Sequence, residues 1–329
     1  MRATATNTGS DALPLRTRVV RKALIRTFGP PPIDATRDPG DPGLTGPNSP
    51  SWRVIGEPAA IAGGVRGLIV QLVHPLAMAG VYDHSAFRTD PLGRLQRTSA
   101  YVTTSTFGSV PEALHVANIV RKVHLRVRGS APDGRPYAAD DPRLIVWVSV
   151  ALTSSFLHAY QIWAPTRLSA ADADQFVLEQ SRISALLDPG VNLAQFMTDP
   201  STHESLRQGA VSLPLVDRGE LPRTVKELDA CIASFLPELG VNSQAQAAIS
   251  FLRRPPLGFG PQFGYQMLLA GVLGSLSDPV ADALELHWPK PVRRAAVSFT
   301  RQALRVLRYT AGPSPTLTAA YDRTRTPVA

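Results

Sequence analysis

Imidazole is the side chain best suited to bind a metal or pass a proton near neutral pH, and this chain has seven histidines. His74, His84, His115, His124 and His158 fall in segments of helical periodicity, and His203 and His287 follow further on. His124 stands among valines and cationic side chains in NIVRKVHLRVRG, residues 118–129. On a helical wheel Val116, Val120, Val123 and Val127 form one stripe, with His124 at its edge beside Arg121 and Arg128. Two readings fit that spacing. His124 is a core histidine bonded to a backbone carbonyl, or it binds a large apolar ligand whose anionic groups reach the arginines, a shape that heme with its propionates has.

A second polar stripe lies upstream in GRLQRTSAYV, where Arg94, Arg97, Thr98 and Tyr101 share a helix face. It reads either as a solvated face or as a pocket wall, because Thr98 and Tyr101 are less typical of a solvated face than Glu or Lys. Familiar catalytic signatures are missing. There is no glycine-rich phosphate loop in a strand-turn-helix setting, no HExxH and no Gly-x-Ser-x-Gly elbow. The single cysteine, Cys231, excludes an internal disulfide framework and multi-cysteine metal sites.

The elements that must position these residues are helices. Almost no period-2 run occurs, whereas helix start and stop signals recur, so the chain reads as all-α, one large helical domain. Residues 1–12 read as frayed, Pro14 to Phe28 as a short basic amphipathic helix, and the Pro, Gly and Asp-rich stretch to residue 51 as a connection. The main domain is expected over 52–312 and a loose tail over 313–329. A first long helix is expected from Pro58 to Val81, kinked at Pro75, with Gly63, Gly64 and Gly67 marking a close backbone approach. Asp90-Pro91 opens the next helix, and Ser109 to Glu112 caps one that runs to Gly129. Leu144 to Trp163 is long enough to span a bilayer, but its serines, threonines, His158 and Gln161 suit a buried central helix better.

Hydrophobic residues make up 44% and charged residues 18% of the chain, which is the balance of a packed protein. The net charge of +8 comes from dispersed arginines without an aromatic-interleaved basic run, so no nucleic-acid partner is expected. The N-terminal basic helix is the segment that could touch a membrane surface. No secretory signal pattern is seen at the N-terminus, and the expected location is cytoplasmic.

The run GLIVQLVHPLAMAGVYDHSAFRTDPLGRLQRT, followed by VRKVHLRVRG, DPRLIVWVSVALTSSFLHAY, LPRTVKELDA and FLRRPPLG, resembles the superfamily of bacterial latex-clearing rubber oxygenases and the fungal mycophenolic-acid pathway oxygenase. The likeness covers roughly Glu57 to Thr310. It implies a globin-related helical core with extra helices, a single b-type heme, and an oxygenase that uses O2 on an apolar, possibly isoprenoid or lipid, substrate. The alternative is a helical protein that binds heme or a hydrophobic ligand without turnover. By the same resemblance His124 takes the proximal iron-ligand role, with Arg121 or Arg128 as propionate partner; His74, ahead of the helix-kinking Pro75, either hydrogen-bonds freed backbone carbonyls or lies at the cofactor, and His84 orients a partner or a propionate. In the rubber oxygenases Arg-x-x-Lys-Thr precedes the proximal histidine; here Arg94-x-x-Arg97-Thr98 stands 26 residues ahead of His124, which assigns Arg94, Arg97 and Thr98 to the distal side. Arg97 replaces a lysine that can cap the iron, and a guanidinium offers no lone pair. Trp147-Val148-Ser149 replaces the Trp-Val-His of many relatives. No glutamate matches the rubber-cleaving base, and Asp83 is the nearest carboxylate in the Gln71 to His84 run.

Overall fold

The computed structural model describes residues 13–255 and 259–325, so the frayed segment expected at 1–12 lies outside them. Among the described residues the only sheet is a two-stranded hairpin, and the fold is all-α. Helices α1 (Leu15–Phe28), α2 (Pro50–Gly56), α3 (Ala59–Leu72), α4 (Pro75–His84), α5 (Pro91–Phe107) and α6 (Val110–His124) lead into β1 (Arg128–Ser130) and β2 (Pro136–Ala138). The central helix α7 (Pro142–Trp163) follows, then α8 (Ala170–Ala185), three short helices α9 (Leu193–Thr198), α10 (Thr202–Gln208) and α11 (Pro214–Asp217), and α12 (Val225–Phe235). The last third holds α13 (Ser243–Arg253), α14 (Phe259–Gly274), α15 (Asp278–Ala283), α16 (Lys290–Ala311) and α17 (Pro315–Arg325).

The core is built on α7 lying along α3. The apolar window of α7 is 67% buried in the fold, so this bilayer-length helix is a core helix. Gly63 and Gly67 permit the pairing: a Cβ on Gly63 would sit 2.8 Å from the Phe156 ring and 3.0 Å from the Phe156 Cα, and one on Gly67 would sit 2.7 Å from Leu152 Cδ2. The backbone approach expected at these glycines is that of α7. Gly64 meets only the tip of the Phe156 ring, at 3.9 Å. Gly63→Ala should therefore destabilise the protein by about 1–3 kcal/mol through overpacking, although alanine is the better helix former. Urea unfolding reads the sign directly.

Pro75 does not kink one long helix. It starts a new one: α3 and α4 meet at 105°, and His74 caps α4 by accepting a hydrogen bond at Nδ1 from the Ala77 amide at 3.4 Å. α5 and α6 start as the sequence predicts, with Asp90 accepting from the Gly93 amide and Ser109 and Glu112 forming a complete capping box. α6 stops at His124 rather than Gly129, because the chain turns into a hairpin through Asp133-Gly134, where Gly134 has a φ of 84° that suits glycine.

The expected loose tail is also corrected. α17 packs back on the start of the domain, and Arg323 is fully buried, donating to the carbonyls of Asp41 (2.9 Å) and Phe107 (2.7 Å). The 29–51 connection is irregular but held in place. Asp38 accepts from Ser109 Oγ at 2.6 Å, and Gly43, at φ 75°, lies so close to the Gly108 carbonyl that no side chain fits.

Candidate functional site

Helices far apart in sequence enclose a cavity of about 550 Å³. Its wall is contributed by α1, α3, α5, α13, α14 and α16, with Val81 of α4 and Phe87. The lining is mostly apolar, aliphatic side chains together with the rings of Phe28, Phe87, Phe251 and Tyr265. Most of its hydroxyls are spent on backbone: Tyr265 donates to Leu252 O (2.6 Å), Thr300 to Met267 O (2.7 Å) and Thr98 to Arg94 O (3.1 Å). A volume of this size with few polar groups is that of a pocket for an apolar small molecule.

Arg94 is the charged exception in the wall. Among the described residues no carboxylate pairs with its guanidinium. Burial, with the neighbouring charge of Arg97, holds its pKa below the ordinary arginine value. An unpaired cation at the edge of an apolar cavity is a fitting partner for a carboxylate or another polar end of an otherwise apolar ligand. Arg94 and Thr98 are thus wall residues, as their spacing allowed. Arg97 is not; it is exposed and pairs with Asp90 at 3.3 Å. Tyr101 also lies outside the wall, and burial pushes its phenol up.

His124 lies outside the cavity wall too. The buried stripe of α6 is Val110, Ala113, Leu114 and Ala117, not the valine stripe, and His124 continues it one helical repeat on, where it reaches the surface. Val123 and its neighbours Ile119 and Leu125 are exposed. The Nδ1 of His124 is shielded from solvent and has no hydrogen-bond partner. Burial lowers its pKa, opposed in part by Asp140, so the ring is neutral at pH 7.

Around it lies a polar cluster. Arg128 pairs with Asp140 at 3.0 Å, His84 Nε2 lies 3.2 Å from the Arg128 carbonyl, and Tyr137 donates to Asp83 at 2.6 Å. Burial, with that bond, pushes the Tyr137 phenol up to about 12. The structure therefore brings His84, Arg128 and the carboxylates Asp83 and Asp140 to the hairpin beside His124, and places Arg94 and Thr98 in the cavity.

Arg121 and His74 have other tasks. Arg121 donates to the carbonyls of Val191 (2.9 Å) and Pro189 (3.2 Å), tying α6 to the loop before α9. His74 is fully buried against Trp147 and Phe235 and approaches Glu238 at 3.4 Å.

A heme needs one neutral nitrogen facing an apolar slot. His124 meets the chemical requirement for the ligand, with an unpartnered shielded nitrogen on the last turn of a capped helix and uncovered aliphatic side chains beside it. Arg94 lies in the cavity wall and His124 outside it, so the two are not brought together at one site. Among the described residues the cavity wall holds no histidine, cysteine, methionine or lysine. Among the described residues no group of three or more His, Cys, Asp or Glu is placed to hold a metal ion.

His158, on α7, was left open by the sequence. Burial, then the charge of Arg66, pulls it down to about 4, against a hydrogen bond to the Ser275 backbone. Arg66 is itself buried without a carboxylate, bonded to Ser155 Oγ at 2.9 Å. In the unfolded chain His158 titrates near 6.5. As pH falls below that value the unfolded state takes up the proton first, so stability should fall between about pH 6.5 and 4 and stop changing on this account below 4. With its partial exposure discounted, the loss is of order 1–3 kcal/mol. Thermal melts across this range should be flatter for His158→Gln than for wild type.

Comparison with known proteins gives one family: the model described as ER-bound oxygenase mpaB/B'/Rubber oxygenase, catalytic domain, matches residues 52–309. An uncharacterized protein of Mycobacterium tuberculosis and one of Mycobacterium bovis are each 28% identical to this chain over 103 residues. That span is 31% of this chain and 38% of each relative, well short of the relatives' full length. No solved structure matches.

Proposed function

Since the chain belongs to the mpaB/rubber oxygenase catalytic-domain family, we propose that it oxidises an apolar small molecule with O2 while holding it in the cavity between α1, α3, α5, α13, α14 and α16. The cavity carries this reading: about 550 Å³ with a mostly apolar wall and one unpaired guanidinium. Its side chains exclude water and align the chain of the substrate, and Arg94 holds a polar or carboxylate end where there is one. Thr98 lines the cavity and spends its hydroxyl proton on its own helix. Among the described residues the wall includes no Asp or Glu. Asp83 is bonded to Tyr137 and lies outside the wall.

The cofactor in this proposal is heme b with its iron on His124. When bound, it supplies the one-electron chemistry that O2 requires to react with an organic substrate. The support is the neutral, unpartnered imidazole and the family. His124 would hold the iron through a ring nitrogen, and the Arg128–Asp140 pair lies beside that helix end.

A wall whose described residues include no carboxylate also suits a second reading, a carrier that binds its apolar ligand without turnover. Oxygen uptake separates the two. Full-length protein loaded with hemin and reduced is mixed with a panel of unsaturated lipids and isoprenoids. The oxygenase consumes O2 in proportion to one substrate class and places ¹⁸O from ¹⁸O2 in the product. Recovery of every compound unchanged from a saturated protein overturns the enzymatic reading in favour of the carrier.

A further inference from the structure

The cavity opens where α1 meets α16. Val19 and Val306 line it and are 60% and 62% exposed, which puts its mouth on the seam between the two helices. Arg16 of α1 stacks over the Tyr309 ring of α16 at 4.5 Å and holds that seam together.

The surface around the mouth has an unusual composition. Five residues of α1 and six of α16 are Lys or Arg, and neither helix contains an Asp or Glu. Some of these cations are engaged: Arg21 donates to Ala311 O, Arg293 pairs with Asp278, and Arg308 pairs with Glu57. Lys22, Arg26, Arg294 and Arg305 are exposed, and no carboxylate pairs with them among the described residues. Large apolar side chains crowd the same region. Eight of the thirteen that are exposed among the described residues lie on α1, α14 and α16, including Leu15, Phe263, Phe299 and Tyr309.

We propose that this face rests on the anionic surface of a lipid bilayer and that the apolar substrate passes from the bilayer into the cavity between α1 and α16. Charge complementarity points to the partner. A stripe of unpaired cations without acids is attracted to anionic headgroups, and the interleaved Phe, Val, Leu and Tyr side chains can sink into the boundary of the acyl region. A nucleic acid would meet the charges but leave those apolar side chains in water. The passage of substrate rests on the cavity being the substrate site; the docking does not.

The test is sedimentation of the full-length protein with vesicles of phosphatidylcholine alone or mixed with phosphatidylglycerol. The expected result is association with the anionic vesicles that weakens as salt rises, and little with the neutral ones. Each cation at such a surface contributes enough that the Lys22→Glu/Arg305→Glu pair should lower the association constant by roughly 30-fold or more. Arg126→Glu/Arg167→Glu makes the same change in net charge on exposed residues elsewhere and should stay within about twofold of wild type. Neither pair touches the cavity wall, and circular dichroism checks both for folding. Failure to bind anionic vesicles, equal losses in both pairs, or binding to duplex DNA in place of vesicles each overturns the proposal. The vesicles carry no substrate, so this outcome is independent of turnover. Oxidation of detergent-dispersed substrate by the Lys22→Glu/Arg305→Glu protein at the wild-type rate shows the catalytic reading intact even if docking fails.

Discussion

The Ala303→Trp variant is expected to lose turnover of the apolar substrate by roughly 100-fold or more while melting close to wild type. Ala303 is a half-buried residue of the cavity wall on α16, one helical turn from Leu307 and next to Leu304, both also in the wall. An indole there enters a void and does not displace packed core, so the usual cost of overpacking is small. The substrate, in contrast, loses the space in which its reacting carbon is aligned, and a misplacement of about 1 Å can cost about two orders of magnitude in rate. Product formation measured beside a thermal melt separates the two effects. A variant that folds and turns over normally removes the cavity from the mechanism.

The second large effect is expected at His124. His124→Ala should weaken heme retention by more than roughly 100-fold, since loss of even an outer partner of a metal ligand costs about 10–100-fold. The readout is the Soret band of protein reconstituted with hemin and passed through a desalting column. His84→Ala is the control, because its ring is exposed and bonded only to the Arg128 carbonyl. The pH dependence has a definite sign. A proton competes with iron for the imidazole, and burial holds His124 below the ordinary histidine value, so heme should be retained to lower pH than an exposed histidine allows. A His124→Ala protein that keeps its full band contradicts the assignment, whatever its activity.

The helices were legible in the sequence wherever their ends carry their own chemistry. Asp90-Pro91 and the Ser109–Glu112 box start helices where expected because those side chains satisfy free amides locally. Where tertiary contacts decide, the local pattern misled. Pro75 reads as a kink, yet His74 supplies a cap and the chain turns through 105°. The Asp133-Gly134 turn is a hairpin signal that was overshadowed by the helical spacing around His124. The C-terminal segment looks polar and loose, but Arg323 finds buried carbonyls on two distant elements, a match no local pattern announces.

The candidate site was legible in part for the same reason. The stripe holding Arg94 and Thr98 is visible as spacing, whereas the rest of the wall comes from helices between residues 19 and 310 and exists only once they pack. The valine stripe pointed His124 inward; the small residues Ala113 and Ala117 define the true buried face, because α6 sits tightly against its neighbours there. Arg97 shares the stripe of Arg94 by spacing but turns to solvent toward Asp90, seven residues earlier at the start of the helix.

The claim that the cavity receives the apolar substrate is tested most directly by photolabelling. A diazirine-bearing alkyl chain is irradiated with the full-length protein, and the adducts are mapped by mass spectrometry. The account predicts adducts on cavity-wall residues of α5, α14 and α16, such as Leu95, Leu268 and Leu304, and their loss in Ala303→Trp. Adducts confined to the exposed aliphatic patch at Ile119, Val123 and Leu125, with the cavity wall unlabelled, would contradict it.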